Sequence, residues 1–325
     1  MSYRHKEAVA KPFLKWAGGK TQLLSTFDKY YPEELLNGGI KRYIEPFVGS
    51  GAVLFHIMQN FKIESAYITD INYDLINAYK VVKHNAHNLI DYLKEMEINF
   101  LRLPDEQRKD FYYTIRNEYN QDKTGFCYRK NSKKTIKRAG QFIFLNKTCF
   151  NGLYRVNKDG LYNVPMGSYK NPKICDNVNL MAVSDVLQNV HILHSDYKQC
   201  KKYINSNSLV YFDPPYRPLN KTASFTSYNE YDFDDSKQIE LAQFYREVGQ
   251  DKQAYLMLSN SNPKNVDKND TFFEELFEGF NIYNVNARRA INSKGEKRGQ
   301  IKELVITNYD IYGESRRANE EYQIL

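Results

Sequence analysis

The sequence predicts an α/β protein in which a mostly parallel, doubly wound sheet is interrupted by a helical insertion. In the first part of the chain, short apolar runs typical of strands alternate with amphipathic helical stretches, and this alternation resumes near residue 190. Between residues 74 and 187 the pattern is mostly helical and richer in charge. Alternating strands and helices indicate a parallel sheet, and the interruption indicates an inserted unit. We therefore expect one domain from 1–73 with 188–325 and a second from 74–187, a division that 325 residues allow.

Seven apolar runs account for the predicted sheet. Two come early, at Tyr43-Ile44 with its neighbours and at Ala66–Thr69, with a helix at Ala52–Asn60 between them. The other five follow the insertion, at Val190–Leu193, Leu209–Phe212, Ala254–Leu258, Asn281–Val285 and Glu303–Thr307. Several of these strands end in polar residues. Open α/β sheets hold their ligands at such strand ends.

The composition is compatible with nucleic-acid binding but does not require it. The chain has 27 Tyr and 19 Phe, and tyrosine suits wet interfaces and base stacking. Its formal net charge of +7 attracts polyanions, although many basic proteins bind none.

The cysteines and the N-terminal segment indicate a reduced, cytoplasmic protein without a membrane span. The four cysteines, Cys127, Cys149, Cys175 and Cys200, form no C-x-x-C pair, so neither a zinc site nor a disulfide framework is expected. No stretch reaches the roughly 18 apolar residues of a membrane span, and the N-terminal residues lack the apolar segment of a secretory signal.

A basic run lies within the helical insertion. From Lys123 to Arg138 the chain has seven basic residues and no acidic one. Such a run is either a solvated charged loop or a surface that contacts phosphates. The sequence leaves both interpretations open.

A glycine-rich turn follows the first predicted strand. Residues 43–51, Tyr-Ile-Glu-Pro-Phe-Val-Gly-Ser-Gly, are typical of a strand, a tight turn and the start of a helix that approach a ligand. The third glycine of the dinucleotide fingerprint falls on Leu54, which disfavours a hydride-transfer enzyme. Asp70 ends the second strand nineteen residues after Gly51, where a carboxylate can bind the ribose of a nucleoside cofactor. Together these features favour a nucleoside site over a structural turn.

A second glycine-rich segment, residues 13–21, ends in Gly-Lys-Thr but is not a phosphate-binding loop. The first glycine of the G-x-x-x-x-G-K-[ST] pattern would fall on Leu14, and no strong strand precedes it. The segment holds Trp16, the only tryptophan of the chain, which as an isolated residue is typical of a core.

The most specific local motif is Asp213-Pro214-Pro215-Tyr216, which follows an apolar strand. Two prolines end sheet pairing and fix the backbone, presenting a carboxylate, a carbonyl and a ring at the sheet edge. This set of groups would suit reaction at an amino group such as adenine N6, which is a poor nucleophile. Hydrogen bonds from N6 to the Asp213 carboxylate and the Pro214 carbonyl would make the nitrogen more tetrahedral and more reactive. Tyr216 can stack on a base that has left the duplex. The alternative is an ordinary strand-ending turn.

With these motifs in place, the chain resembles the Dam-type DNA adenine methyltransferases, including those of GATC-specific restriction-modification systems. The resemblance covers nearly the whole chain. The segments that carry it are Lys15–Lys20, Glu45–Gly51, Asp70–Asn72, Phe150–Asn157, Asn163–Pro165, Asp213–Tyr216 and Leu258–Ser261. Several motifs in one order are far more specific than any single one.

The resemblance implies a Rossmann-like methyltransferase sheet that binds S-adenosylmethionine and a helical target-recognition domain that binds double-stranded DNA. The implied cofactor-binding residues are Trp16, Lys20, Phe47, Asp70, Asp196 and Asp213. The implied DNA-binding residues are Lys15, Phe150, Asn151, Leu153 and Arg155. An arginine can grip a guanine edge with two hydrogen bonds, and an apolar wedge, here Phe150, stabilises distorted DNA.

The implied reaction is methylation of N6 of a flipped-out adenine within GATC, with Asp213, Pro214 and Tyr216 as catalytic residues and without a metal. One departure concerns Gly167-Ser168-Tyr169, where many relatives have a basic residue between the glycine and the tyrosine. Alternatives that remain open are methylation of another DNA site, of RNA or of a protein glutamine, and a non-catalytic DNA-binding module. The sequence also leaves open a partner restriction endonuclease acting on the same site.

Overall fold

A seven-stranded sheet forms the centre of the computed structural model, which describes residues 8–121, 126, 132–217, 233–288 and 300–311. Its strands in chain order are β1 (Arg42–Glu45), β2 (Ser65–Asp70), β3 (Val190–His194), β4 (Ser208–Phe212), β5 (Tyr255–Ser261), β6 (Asn281–Arg288) and β7 (Gln300–Thr307). Their order across the sheet is β3-β2-β1-β4-β5-β7-β6. All pairs are parallel except those of β7, which runs antiparallel to β5 and β6. The predicted mostly parallel sheet is confirmed.

The strand order reverses between β1 and β4, which are hydrogen-bonded neighbours although the insertion separates them in the chain. From β1 the sheet grows through β2 to β3, and from β4 it grows in the opposite direction. Loops that leave such a switch point diverge, and the crevice between them is where open α/β sheets bind ligands. The glycine turn follows β1 and Asp213 follows β4, so both lie at this crevice.

The middle residues of the central strands are apolar and buried because both faces of the sheet are covered. Side chains alternate between the two faces of a strand. Tyr43 and Tyr211 pack into one buried cluster, whereas Ile44 and Val210 pack into a second cluster with the helix Asp235–Lys252. Every residue of β4 is buried, which is typical of parallel strands between helical layers.

The segment between β2 and β3 is mainly helical, as predicted. The helices before it are α1 (Leu24–Phe27), α2 (Glu33–Leu36) and α3 (Ala52–Asn60); those within it are α4 (Tyr73–Leu101), α5 (Asp105–Gln121), α6 (Lys133–Thr148) and α7 (Asn177–Leu187); those after it are α8 (Asp235–Lys252) and α9 (Phe272–Leu276). Short 3₁₀ segments occupy Phe150–Gly152, Tyr197–Tyr203 and Pro263–Asn265. The insertion and the sheet share one hydrophobic cluster, in which Phe144 of α6 belongs with Ile68 of β2. Among the described helices, none combines the length and apolar character needed to cross a membrane.

The strand predictions are correct in number and place, and differ at some ends. β5 continues to Ser261, three residues beyond the last apolar residue, Leu258. Its polar residues Ser259, Asn260 and Ser261 pair with β7, so the strand is extended by a partner that local hydrophobicity does not reveal.

The basic run of the insertion does not act as one surface. Lys133 and Lys134 are exposed at the start of α6, and Lys137 pairs with Glu118, whereas Arg138 is 1% exposed. Both interpretations that the sequence left open, a solvated loop and a phosphate-contacting surface, are therefore excluded for Arg138, because its guanidinium is buried. Of the remaining members, Lys123, Arg129 and Lys130 lie outside the described residues.

Arg138 makes a buried ion pair that joins three helices. Its Nε and Nη2 donate to Oδ1 and Oδ2 of Asp74 on α4, at 2.6 and 3.0 Å. Its Nη1 donates to the carbonyl of Tyr119 on α5, and the Tyr119 hydroxyl donates to Asp74 Oδ2 at 2.6 Å. A bidentate pair of this kind is strong and directional.

We expect Arg138→Ala to lower the free energy of unfolding by about 3–5 kcal/mol, because it leaves the Asp74 carboxylate buried without its partner charge. Lys137→Ala is the matched control, since the neighbouring side chain is 45% exposed in its pair with Glu118. That change should cost about 1 kcal/mol or less. Urea titration of both variants measures the difference, and equal losses would contradict the structural role of Arg138.

Candidate active site

The glycine turn after β1 is shaped by close packing as well as by its backbone. Gly49 and Gly51 have positive φ angles of 47° and 71°, a region that favours glycine. A Cβ atom on Gly51 would lie 2.5 Å from the hydroxyl of Tyr79, and one on Gly49 would lie 2.9 Å from Cδ1 of Trp16. The Tyr79 hydroxyl also donates to the Gly49 carbonyl at 3.0 Å. No larger residue fits either position without a shift of these rings.

Asp70 lies at the carboxyl end of β2, beside this turn. Its Oδ1 accepts the backbone N–H of Asn72 at 2.9 Å, and its Oδ2 accepts that of Gly49 at 3.4 Å. Burial raises the pKa of the Asp70 carboxyl to about 6, while these backbone amides act in the opposite direction. A carboxylate has about four lone-pair sites, so the two bonds leave acceptor capacity for a ligand.

Lys20 links the N-terminal segment to the motif after β4. Its side chain is 3% exposed, and its ammonium group donates to the carbonyl of Gly18 at 2.9 Å, to Asp213 Oδ1 at 2.6 Å and to the Tyr216 hydroxyl at 2.8 Å. An ammonium has three donors, so these bonds use all of them. Ser259 of β5 also donates to Asp213 Oδ1, at 3.2 Å.

Asp213 has one engaged oxygen and one free oxygen. Oδ1 accepts from Lys20 and Ser259, whereas Oδ2 makes no hydrogen bond with any described residue. The next acceptor along the chain, the Pro214 carbonyl, likewise has no donor among the described residues. The Pro215 carbonyl is different, since it accepts from Nε2 of Gln238 at 3.0 Å, a bond that fixes the motif. Two adjacent acceptors therefore remain for a ligand.

Three carboxyl groups interact electrostatically with the buried ammonium of Lys20. Besides Asp213 these are Glu45, 2% exposed at the end of β1, and Glu303, 8% exposed on β7. Burial raises the pKa of Glu45, Asp213 and Glu303, and Lys20 lowers each of the three. The site thus places three carboxyl groups near one ammonium group.

Trp16, Phe47 and Asp196, predicted from the resemblance as cofactor contacts, lie in the loops around the crevice. Trp16 is partly buried and stacks on Tyr154 of the insertion, with ring centroids 5.6 Å apart. Phe47 stacks on Tyr197, at 5.3 Å. Asp196 is exposed and caps the 3₁₀ segment after β3. These positions place an aromatic face and a carboxylate on the side of the β3 loop.

The predicted DNA-binding residues lie in and beside the 3₁₀ segment that follows α6. Phe150 is 50% exposed, and Asn151 has a positive φ of 56°. Leu153 is partly buried, and Nε of Arg155 donates to Oδ1 of Asn163 at 2.8 Å. No described residue accepts from the two terminal nitrogens of Arg155. The side chain is therefore oriented through one nitrogen while the other two remain available.

Lys15 lies against this segment, and a residue missed by the sequence analysis holds it there. The buried amide of Asn146 donates to the carbonyls of Lys15 and Gly152, at 2.8 and 3.1 Å, and accepts the N–H of Lys15 at 2.8 Å. Lys15 Nζ lies 4.1 Å from the centroid of the Tyr169 ring, a cation–π contact. No motif identifies Asn146, because its partners are 131 residues away on one side and six on the other.

A glycine turn, an acidic residue on the neighbouring strand and an aspartate after β4, all at one switch point, define a Rossmann-like methyltransferase fold. The sequence profile of the D12 class N6 adenine-specific DNA methyltransferases matches residues 16–291, and the chain belongs to this family.

Curated relatives agree with the family. The chain is 55% identical to the type II methyltransferase M.MjaIII of Methanocaldococcus jannaschii, over 92% of this chain and 99% of the relative. It is 36% identical to the type II methyltransferase M1.LlaDCHI of Lactococcus lactis, over 92% and 95%. It is 32% identical to the DNA adenine methylase of Haemophilus influenzae, over 91% and 92%. The chain is an adenine-specific DNA methyltransferase, so RNA, protein glutamine and a non-catalytic role are set aside.

We expect Asn146→Ala to destabilise the protein, because each buried group that loses its partner costs about 1–3 kcal/mol. Asn179→Ala is the matched control, since the Asn179 amide makes the same two bonds to the backbone of Lys11 at an exposed position. Water replaces those bonds, so the control should lose about 1 kcal/mol or less. Denaturant titration compares the two, and an equal effect would show that Asn146 is not a buried clamp.

Proposed function

We propose that the chain transfers a methyl group from S-adenosylmethionine to N6 of a flipped-out adenine in double-stranded DNA, within the sequence GATC. The observation that carries this proposal is a pair of adjacent acceptors, Asp213 Oδ2 and the Pro214 carbonyl, that accept from no described residue, beside an Asp213 Oδ1 that accepts from Lys20 and Ser259. An exocyclic amino group has two hydrogens, so two adjacent acceptors match it. Tyr216 adds an aromatic ring on which the extruded base can stack.

The residues of the crevice fit S-adenosylmethionine. Asp70 offers a carboxylate to the ribose hydroxyls. Phe47, which stacks on Tyr197, offers an aromatic face to the adenine ring. Asp196 precedes Tyr197 in the chain and is therefore close enough to take part in binding the same ring. Trp16 borders the glycine turn, and Lys20 contributes by holding Asp213. When bound, S-adenosylmethionine supplies an electrophilic methyl group on a positively charged sulfur.

The protein's own groups then orient the nucleophile and receive its proton. Lys20 and Ser259 hold the Asp213 carboxylate by Oδ1, which leaves Oδ2 to accept one N6 hydrogen. The Pro214 carbonyl accepts the other. Burial raises the pKa of the Asp213 carboxyl, so this group is a better base than an exposed aspartate when N6 loses its proton.

DNA recognition is assigned to the surface formed by Lys15 and the residues after α6. Phe150 is exposed and apolar, as a wedge between bases must be. The two terminal nitrogens of Arg155 donate to no described residue, and a guanine edge accepts two such bonds. Asn151 and Leu153 lie between them and complete the reading surface. Ser168 supplies no basic contact, so this part of the interface depends on the Lys15–Tyr169 pair.

The biological setting that we propose is a restriction-modification system. Two relatives are named type II methyltransferases. In the proposed setting, methylation of the site protects it from a partner endonuclease that cleaves the same unmodified sequence. A cognate endonuclease for the same site is therefore the expected partner. We also propose that the insertion, 74–187, is the target-recognition domain and that 1–73 with 188–325 form the catalytic domain.

The proposed function is tested with labelled S-adenosylmethionine and duplexes that contain GATC or a single substitution of it. Methyl transfer to adenine N6 only in GATC is the expected result, read by mass spectrometry of the nucleosides. Asp213→Ala should lower turnover by about 2.7–4 kcal/mol of activation free energy, the loss typical of a transition-state hydrogen-bond partner. Methylation of another sequence would overturn the GATC assignment, and an active Asp213→Ala would overturn the catalytic one.

Cofactor affinity should depend on pH through Asp70. The ionised carboxylate accepts the ribose hydroxyls, and its pKa is raised to about 6, so affinity is full above that pH and falls as the pH decreases through it. Asp70→Asn should weaken binding by roughly 1.5–3 kcal/mol and abolish this pH dependence. Calorimetry at several pH values around 6 measures the affinity for S-adenosylmethionine. If the variant kept the pH profile of the wild type, the ribose would not bind at Asp70.

Arg155 and the exposed lysines of α6 should affect DNA binding in different ways. Arg155→Ala should weaken binding to the cognate site by about 1–3 kcal/mol and reduce the difference in affinity between cognate and mismatched DNA. Neutralising Lys133 and Lys134 should weaken all sequences equally and reduce the salt slope by roughly 0.9 for each phosphate that no longer meets a lysine. Binding measured at several salt concentrations separates the two. If Arg155→Ala changed only the salt slope, Arg155 would contact the backbone and not a base.

A further inference from the structure

Glu303 is a buried acidic residue that none of the recognised motifs contains. It lies on β7 and is 8% exposed, and its Oε2 accepts a hydrogen bond of 2.8 Å from the hydroxyl of Tyr216. β7 is antiparallel to its neighbours, so its first residues lie at the edge where the parallel strands end. This topology brings Glu303 to a residue 87 positions earlier in the chain.

The direction of the hydrogen bonds around Tyr216 is fixed by chemistry. The ammonium of Lys20 has only donors, so the Tyr216 oxygen must accept the 2.8 Å bond from Lys20 Nζ. The single hydroxyl hydrogen is then left for Glu303. The Tyr216 hydroxyl is therefore held on two sides, by a cation that donates and a carboxyl group that accepts.

Glu303 occupies an environment in which an acid is costly. Burial raises its pKa and the nearby Asp213 raises it further, while Lys20 and the Tyr216 hydroxyl lower it. Its cross-strand neighbours are Ser261 on β5 and Val285 on β6, and neither carries a charge. Replacing a buried charged group with an apolar one often stabilises a protein, so stability alone gives little reason for an acid here.

We propose that Glu303 is a positioning residue for methyl transfer, which fixes the ring of Tyr216 so that the target base packs against it in the reactive orientation. This inference rests on the proposed function, in which the extruded adenine lies between Asp213 and Tyr216. Small errors in the placement of a reacting group reduce turnover strongly, so an anchor that acts only through Tyr216 can matter for the rate.

The test compares variants that keep or remove the acceptor. Glu303→Gln retains an oxygen that can accept from Tyr216, Glu303→Leu removes it, and Tyr216→Phe removes the hydroxyl alone. Lys302→Ala is the control, because its exposed side chain is adjacent in the same strand. For Glu303→Leu and Tyr216→Phe we expect kcat to fall about 10-fold or more, with the KM for DNA and the affinity for S-adenosylmethionine unchanged.

Glu303→Gln should restore kcat to within about threefold of wild type, and the double variant Glu303→Leu/Tyr216→Phe should be no slower than Tyr216→Phe. Non-additivity of this kind is not expected from a general loss of stability. The proposal is overturned if Glu303→Leu keeps the wild-type kcat, or if the two losses multiply. If Glu303→Leu does not fold, the Tyr216→Phe variant alone tests the proposal. A wild-type kcat in Tyr216→Phe would show that the hydrogen bond between Tyr216 and Glu303 does not contribute to turnover.

Failure of the proposed function has a different signature. All variants are assayed on whichever duplex the wild-type enzyme methylates, so a site other than GATC does not affect the comparison. An active Asp213→Ala variant would show that the target base lies elsewhere. An inactive Asp213→Ala together with a fully active Glu303→Leu would leave the proposed function intact and remove only the inference about Glu303.

Discussion

The structure of the active site depends on one buried cation, the ammonium group of Lys20. A charge that is 3% exposed is stable only when its donors are satisfied, and here they reach the carbonyl of Gly18, Asp213 and Tyr216. These bonds hold the N-terminal segment against the residues that follow the carboxyl end of β4. They also leave Asp213 with one oxygen occupied and one available, which is the asymmetry on which the proposed chemistry depends.

A second buried charge pair joins the helices of the insertion, and a short chain of hydrogen bonds connects it to the end of β2. Asp70 accepts the N–H of Asn72, Asn72 caps α4 by accepting the N–H of Asp74, and Asp74 pairs with Arg138 of α6. The carboxylate assigned to the ribose is therefore only four residues from the one that orients α6. At its other end, α6 carries Asn146, which holds Lys15 to the segment assigned to DNA. One helix thus sets the position of the proposed reading surface relative to the sheet.

Much of the fold and part of the site are local properties of the sequence. Apolar runs predict all seven strands, and the proline pair after β4 predicts a strand end that presents Asp213. The glycine turn and Asp70 are recognised because their spacing follows from one strand, one helix and the next strand. Such patterns can be recognised without knowledge of tertiary contacts, because they depend on the residue period of a strand and on the backbone freedom of glycine.

The sequence alone determined the class of fold, the family and the identities of the residues in the motifs. Only the tertiary structure decided that β7 enters between β5 and β6, which is what brings Glu303 to Tyr216. It also decided that Arg138, at the end of a basic run, is buried. The tertiary structure likewise decided that Asn146 joins α6 to the backbone of Lys15 and Gly152. The physical reason is the same in each case. A buried polar group is defined by partners tens to hundreds of residues away, and no local pattern encodes them.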